Sequence, residues 1–397
     1  MDFYLAASVR VSFRRGRMEP AISVPKADWK EFPHSRRAPM RYMSATGELI
    51  SIYENEIPSF VAGEMERLYQ NIYSSLPRLT LMGETEGVST YAVSRNGTIT
   101  TLFLFRIDND SVRVLNEYTP LESDEIALFV KTIFSLFPSP RVITFRAIGT
   151  NGLRLPYAYQ CFNCSEDIVL SLPRSKQEYQ ANLGKNMRKT INENSNKLKR
   201  RFPTFSFQIY EGKEANEELI RRIIRFNRER MLGKNKAPGT EEEEARQILA
   251  MVHLCGVVFT ITVDDRICAG QVCFRAGENY FSLVNAHSPE FNEYRLGTVC
   301  NFLSICECIE RGGKEFHFLW GREEFKYRFL GERRDLDELV IYRSPLDMVV
   351  RGRQVMQTAI QGRTRQAKLW LLDPKRKDHF AVRFARKMAQ RQHDRPC

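Results

Sequence analysis

The sequence predicts an α/β protein built twice from one unit, with mixed, mostly antiparallel sheets flanked by helices. Three observations predict it. The order strand, strand, strand, helix, strand occurs between residues 91 and 148 and recurs between residues 257 and 320. The strands are joined by Asn96-Gly97, Asp108-Asn109-Asp110, Asp264-Asp265 and Gly277-Glu278-Asn279, residue types that accept positive φ. The length, 397 residues with 43% hydrophobic side chains, is enough to bury two cores. An internal duplication is the simplest account of the repeated order, and two unrelated meanders are the alternative.

In the first copy, Tyr91–Ser94, Thr98–Arg106 and Ser111–Tyr118 read as strands. Ser123 reads as an N-cap, and Ile126, Phe129, Val130, Ile133, Phe134 and Phe137 follow at helical spacing. Pro138 and Pro140 stop that helix, and Arg141–Ile148 returns as a strand. Between the copies, Ser175–Arg201 reads as one long basic helix and Phe205–Tyr210 as a strand. Asn216–Met231 and Glu241–Leu254 read as helices, with a linker at Gly233–Thr240. In the second copy the strands are Val257–Val263, Arg266–Arg275 and Tyr280–His287. A loop at 288–296 leads to a helix with Val299, Phe302, Leu303, Cys306 and Ile309 inward; Gly312-Gly313 ends it, and Lys314–Trp320 closes the unit. The expected domains are an irregular arm at 1–45, copies at 46–165 and 166–350, and a basic helical tail at 351–397.

Charge and cysteine usage narrow the function classes. The net charge is +12. Residues 351–397 hold 13 Lys and Arg against three Asp, so the other 350 residues are nearly neutral. Nine cysteines without regular spacing argue against a disulfide-stapled secreted fold. Cys161-x-x-Cys164 has no second pair and no nearby His, which argues against a zinc site. No metal is expected. Mean hydropathy is −0.40 and no run of about 18 apolar residues occurs, so no transmembrane helix is expected. The expected location is the cytoplasm, with peripheral contact at the inner face of the membrane as an extension.

From Ile267 to Phe329 the residues resemble the GNAT acyltransferase superfamily. Within it they look like the double-GNAT branch associated with cellulose and exopolysaccharide gene clusters, related to the Fem-type aminoacyl transferases. The residues that carry the resemblance are the basic run Lys185–Arg201, Ala269-Gly270, Gly297-Thr298, His317-Phe318-Leu319 with Gly321, and Glu323 to Lys326. The resemblance implies a tandem GNAT-like (acyl-CoA N-acyltransferase) fold. It also implies acetyl-CoA or another acyl-CoA as co-substrate and an amine or hydroxyl acceptor, for instance an amino sugar of a surface polysaccharide. Alternatives are a Fem-type enzyme using aminoacyl-tRNA, the one reading in which nucleic acid is a partner, and a non-catalytic binding protein.

In such a fold the donor's pyrophosphate lies on the N-terminus of the helix after the third meander strand, where unpaired amides and the helix dipole meet it. The expected donor set here is Asn285, Arg295, Leu296, Gly297 and Thr298. The phosphate signature is degenerate, with a single glycine, Gly297; a plain loop-to-helix turn is the competing reading. The equivalent loop of the first copy, Thr119 to Glu125, carries Glu122, Asp124 and Glu125 and no glycine. Those carboxylates stabilise a helix start and repel a pyrophosphate, so only the second copy is expected to bind donor. The resemblance places Glu323 as base or acceptor ligand and Lys326 as a holder of an acceptor anion. Phe325 replaces the family's tyrosine, so Tyr327 is a weaker candidate acid. His317 and His287 are further candidate bases, and Arg328 and Arg188 complete the acceptor set. The basic tail, with Trp370 and Lys375-Arg376-Lys377, is a candidate for contact with anionic lipid or an acidic polymer.

Overall fold

The structure, a computed structural model, describes residues 38–44, 46–232 and 241–372. In chain order, β1 (Met40–Met43) and β2 (Leu49–Tyr53) precede α1 (Val61–Tyr69) and α2 (Leu76–Leu81). Then come β3 (Val88–Arg95), β4 (Thr98–Asp108), β5 (Ser111–Val114), β6 (Pro120–Leu121), α3 (Ser123–Leu136), β7 (Val142–Thr150) and β8 (Ala158–Ser171). Next are α4 (Lys176–Asn182), α5 (Lys185–Arg201), β9 (Ser206–Glu211), α6 (Glu217–Leu232) and α7 (Glu241–Cys255). The second meander is β10 (Gly256–Val263), β11 (Arg266–Ala276) and β12 (Asn279–His287), followed by α8 (Leu296–Glu310), β13 (Glu315–His317) and α9 (Glu324–Arg328). β14 (Glu332–Tyr342), α10 (Pro345–Val350) and α11 (Gly352–Leu372) close the described chain.

The chain forms two compact units, each assembled from separated segments. Of the described residues, one contains 39–55, 87–166 and 334–372. In it β1 to β5 pair antiparallel in order, β5 pairs with β7 in parallel, and β7 pairs with β14 antiparallel. Alternate residues Tyr91, Phe103, Phe105 and Phe145 point to one face and pack on Phe129 of α3. The edge-to-face geometry of these rings adds to the apolar area they remove from water.

The other unit contains 56–86 and 167–333. β9, β10, β11 and β12 pair antiparallel, β12 pairs with β13 in parallel, and β13 pairs with Val169–Ser171 of β8. The pairing pattern of the first unit is therefore repeated, as the duplication required. Phe302, Ile305, Cys306 and Ile309 of α8 close its core against Phe259, Cys273 and Tyr280, and Met187 and Ile191 of α5 join them. α6 packs on β11 and β12.

Several expectations change. The domains are not contiguous at 46–165, 166–350 and 351–397. Residues 56–86 join the second unit because Glu66 Oε1 accepts from Gly277 N, and Gln70 bonds Glu278 N and Asn279 Nδ2. Residues 334–372 join the first unit because β14 extends its sheet and Gly362 of α11 lies against the Phe162 ring. The arm expected at 1–45 includes a strand, β1, registered Met40↔Ile52 to Met43↔Leu49; its residues 1–37 lie outside the described residues. The Ser175–Arg201 helix is two helices, because Leu183 turns extended and inserts into the core ahead of Gly184. The N-cap of α3 is Glu122 rather than Ser123. The closing strand stops at His317, not Trp320, and Glu324–Arg328 is helix rather than strand. The 233–240 linker and residues 373–397 of the tail lie outside the described residues.

Candidate functional site

β12 and β13 pair over only three residues, from Asn279↔Glu315 to Phe281↔His317. β12 then runs on to His287 while the chain after His317 parts from it and stays with β8, where Phe318 N donates to Ile168 O at 2.8 Å and Ile168 N to Leu319 O at 3.2 Å. Leu319 (φ +59°) and Gly321 (φ +94°) turn it away. On its other edge β12 carries a bulge: Cys273 faces Ser282 and Val272 faces Val284, so Leu283 is the extra residue. A bulge bends a strand and increases its twist, which widens the parting from β13. The two strands thus open into a cleft, and α8 begins at its head.

The start of α8 is left open. No side chain caps it, and its first turn has no acidic residue. The first amides to find a backbone carbonyl are Thr298 N and Val299 N, both on Arg295 O. The amides of Leu296 and Gly297 lie at the positive end of the helix dipole, where an anion is favoured. Asn285 Nδ2 donates to Gly297 O at 3.2 Å. Asn285 Oδ1 is buried without a hydrogen-bond partner among the described residues, so it offers an acceptor to a ligand. Gly297 has to be small: a Cβ there would lie 2.9 Å from His287 Nδ1. Arg295, the residue before the helix, is held left-handed at φ +47°, ψ +43°. Such a conformation on a non-glycine residue marks strain at a functional position. Glu293, in the 3-10 turn Pro289–Tyr294 ahead of it, is drawn aside to Lys197 of α5 at 2.9 Å.

His287 flanks this mouth. Its Nε2 donates to Asn292 Oδ1 at 2.9 Å, which leaves Nδ1 facing Gly297 as an acceptor. Burial lowers its pKa below 6.5; the Asn292 bond opposes this and the charge of Arg230 adds to it. The ring is therefore neutral at neutral pH. Arg230, at the end of α6, also interacts electrostatically with Glu323. It links the donor mouth to the second group of candidates, and no sequence motif marked it.

Glu323 is the N-cap of α9, and its carboxylate lies over Gly321, where a Cβ would meet Oε2 at 2.5 Å. Its Oε2 is 3.2 Å from Lys326 Nζ. Lys326 is only 5% exposed. Its ammonium donates to Leu319 O at 3.3 Å and to Trp320 O, the carbonyls that end β13's strand path. Lys326 thus spends its hydrogen bonds on two backbone carbonyls and lies as an ion-pair partner beside Glu323, a setting that suits positioning of the carboxylate. Tyr327 is an exposed residue of the helix α9.

His317 is not an open base. It is 4% exposed, stacked on Phe281 at 4.2 Å, and its Nδ1 is 2.7 Å from Asp167 Oδ2. Burial alone would lower its pKa; Asp167 and then Glu315 outweigh burial and raise it above 6.5. The pair pins β13 to β8 beneath the cleft. Asp167 was missed because its partner lies 150 residues away in sequence. Arg328 is exposed, with Nη2 3.8 Å from Met187 Sδ, and Arg188 donates to Ala181 O at 3.1 Å. The structure brings neither to the Glu323 carboxylate. Cys300 and Cys306 of α8 have thiols pushed up to about 12 by burial, which removes an acyl-cysteine route.

The first unit closes the same position in three ways. β6 pairs in parallel with β7, Pro120↔Gly149 and Leu121↔Thr150, where the second unit has its opening. Asn116, fully buried, accepts from Leu104 N and donates to Leu102 O. Glu122 and Glu125 form a capping box on α3. The starts of α3 and α8 thus differ: carboxylates cap the first, and the second has no side-chain cap and no acidic residue in its first turn.

Residues 185–327 match the family model described as an acetyltransferase (GNAT) domain, a span that runs from α5 into α9 and holds Asn285, His287, Gly297, Arg230, Glu323 and Lys326. Among solved structures, FemX superposes with a TM-score of 0.54 at 10% identity, covering 74% of this chain and 98% of that one. L-PGS from Bacillus licheniformis gives 0.47 at 13%, covering 78% and 98%. A tandem GNAT protein from the clavulanic acid biosynthesis pathway gives 0.38 at 9%, covering 75% and 99%. No curated protein matches. The fold is mixed α/β and tandem GNAT-like. Among the described residues no helix is long and apolar enough to cross a membrane, and no cluster of His, Cys, Asp and Glu could hold a metal ion.

Proposed function

We propose that the chain is an acyltransferase that takes an acyl group, acetyl in the simplest case, from acyl-CoA to an amine or hydroxyl acceptor. An amino sugar of a surface polysaccharide is the acceptor class proposed from the sequence resemblance. The observation that carries this reading is the uncapped, carboxylate-free start of α8 at the point where β12 and β13 part. Gly297 and the amides around it would hold the diphosphate, and Arg295 adds positive charge. Asn285 Oδ1 would take an N–H of the donor. The thioester then lies along the parted edge of β12.

Glu323 is the proposed base. Lys326 lies beside it and Arg230 interacts with it, which orients the carboxylate to take the proton of an attacking amine, directly or through water. The amine nitrogen adds to the thioester carbon, the C–S bond breaks, and the thiolate leaves to be protonated from solvent. Positioning of the two reactants supplies much of the acceleration.

Acetyl-CoA is expected to raise the melting temperature and to titrate in calorimetry. If no acyl-CoA of any chain length does either, the donor assignment is wrong. A second reading, aminoacyl-tRNA as donor, draws on α5, which carries seven Lys and Arg against one Glu in 17 residues. Salt-sensitive tRNA binding together with no acyl-CoA binding would replace the first reading with the second.

A further inference from the structure

The first unit presents an apolar surface that its core does not use. Leu346, Val349 and Val350 of α10 are 75%, 74% and 85% exposed, and Met356 and Ile360 of α11 are 64% and 56% exposed. These five are half of the exposed large hydrophobic residues found among the described residues. The inner face of α11 is a different stripe: Val355, Thr358, Gly362 and Arg365 turn inward, with Gly362 against Phe162 and Arg365 bonded to Asn163 and Glu166. Met356, Ile360 and Arg363 recur at i, i+4, i+7 on the outer face and line one shallow groove with Gly352, Ala359 and the half-buried Val355 at its edge. A second apolar stripe on a helix already packed by its first needs a separate explanation.

Charge identifies the occupant. From Met348 to Leu372 there is no Asp or Glu, and Arg353 and Arg363 stand exposed beside the apolar residues. A second copy docking the same face on itself would set these arginines against each other with no carboxylate on α11 and only Asp347, already bonded by Ser344 Oγ, on α10. The remaining chain, 373–397, has eight Lys and Arg against three Asp and is repelled for the same reason. RNA would match the charge but not five exposed aliphatic and thioether side chains. A surface with both fatty and anionic layers matches both.

We propose that the outer face of α10 and α11 docks onto an anionic lipid bilayer, with Leu346, Val349, Val350, Met356 and Ile360 entering the acyl boundary and Arg353 and Arg363 on lipid phosphates. The proposal does not depend on the acyl-CoA reading, whose residues are elsewhere.

The test is co-sedimentation of the full chain with vesicles of phosphatidylcholine alone and of phosphatidylcholine mixed with phosphatidylglycerol. Binding is expected to the mixed vesicles and not to the neutral ones. Met356→Asp with Ile360→Asp is expected to weaken it about a hundredfold, roughly tenfold for each side chain withdrawn. Arg353→Glu with Arg363→Glu should abolish it. All four positions are exposed, so melting temperatures should not move. Equal binding to both vesicle types overturns the proposal. So does binding that survives Met356→Asp with Ile360→Asp, which would assign the affinity to residues 373–397. A dimer that these two substitutions dissociate, or RNA binding lost only with the arginines, overturns it in favour of that partner.

Discussion

Gly297→Glu tests the donor site most directly. The new carboxylate would project from the first turn of α8, on the side where His287 Nδ1 lies 2.9 Å from the Cβ position. A diphosphate on the same turn would sit about 5 Å from it. At an effective dielectric near 20, two unit charges at that distance repel by about 3 kcal/mol. That corresponds to roughly a hundredfold loss of affinity. Gly297→Ala separates charge from shape. Alanine favours a helix over glycine by about 1 kcal/mol, while its Cβ forces His287 to yield, so unliganded stability should hardly change. Its donor affinity should fall by a smaller factor than that of the glutamate variant. Glu122→Ala in the first unit is the control: it removes half of a capping box, costs about 1 kcal/mol of stability, and leaves donor affinity alone. Calorimetric titration with acetyl-CoA on proteins of unchanged circular dichroism gives the answer. A glutamate variant that binds within threefold of wild type refutes the placement of the diphosphate.

The two histidines predict the pH dependence of stability. His317 has a raised folded pKa, so its contribution is full below 6.5 and is lost as pH rises through the folded value; His287 has a lowered one, so stability is lost as pH falls below 6.5. Urea midpoints should therefore peak near pH 6.5; His317→Gln should flatten the alkaline limb and His287→Gln the acid limb, and limbs unchanged by both refute the assignment. Arg295→Gly removes a left-handed strain of about 1–2 kcal/mol and adds about 0.5–1 kcal/mol of glycine entropy, so the melting temperature should rise while donor affinity falls. Lys326→Met leaves two carbonyls and Glu323 without their cation, with an expected loss of about 3–5 kcal/mol in denaturant unfolding. A loss below 1 kcal/mol would mean the ammonium is not the anchor described.

The sequence carried the meanders well because their signals are local. Asn96-Gly97 and Gly277-Glu278 fix turns, and the alternation of Tyr91 or Phe103 fixes which face is buried. It carried the mouth of α8 for the same reason, since a lone glycine between Leu296 and Thr298 and the absence of carboxylates are both visible in one line. What it hid was long-range. Nothing near Glu66 or Gln70 announces that they bond the 277–279 turn, more than 200 residues away. The nearness of Lys326 to Glu323 comes from the helical i, i+3 spacing of α9, which the resemblance that singled out both residues did not convey. His317 and Asp167 become a pair only when β8 is laid beside β13. Arg230 ends a helix whose other basic residues look alike in sequence.

The two copies show how one architecture is made to bind or made to hold. In the first, the amides at the head of α3 are answered by Glu122 and Glu125, and Thr101 Oγ1 reinforces Glu125 at 2.7 Å. Asn116 answers the neighbouring strand amide, and β6 closes the gap. Each of these is a stabilising interaction that the second copy forgoes. There, the helix start is uncapped, Arg295 is strained, and Asn285 Oδ1 is unanswered. Unsatisfied buried groups of this kind cost about 1–3 kcal/mol each, a cost that a ligand completing them would relieve. A donor bound at α8 would supply the anion and the N–H together. The second copy should therefore gain more stability from its ligand than diphosphate contacts alone provide, and free diphosphate should recover only part of the melting shift that acetyl-CoA gives. Equal shifts from the two would mean that Asn285 takes no part in binding.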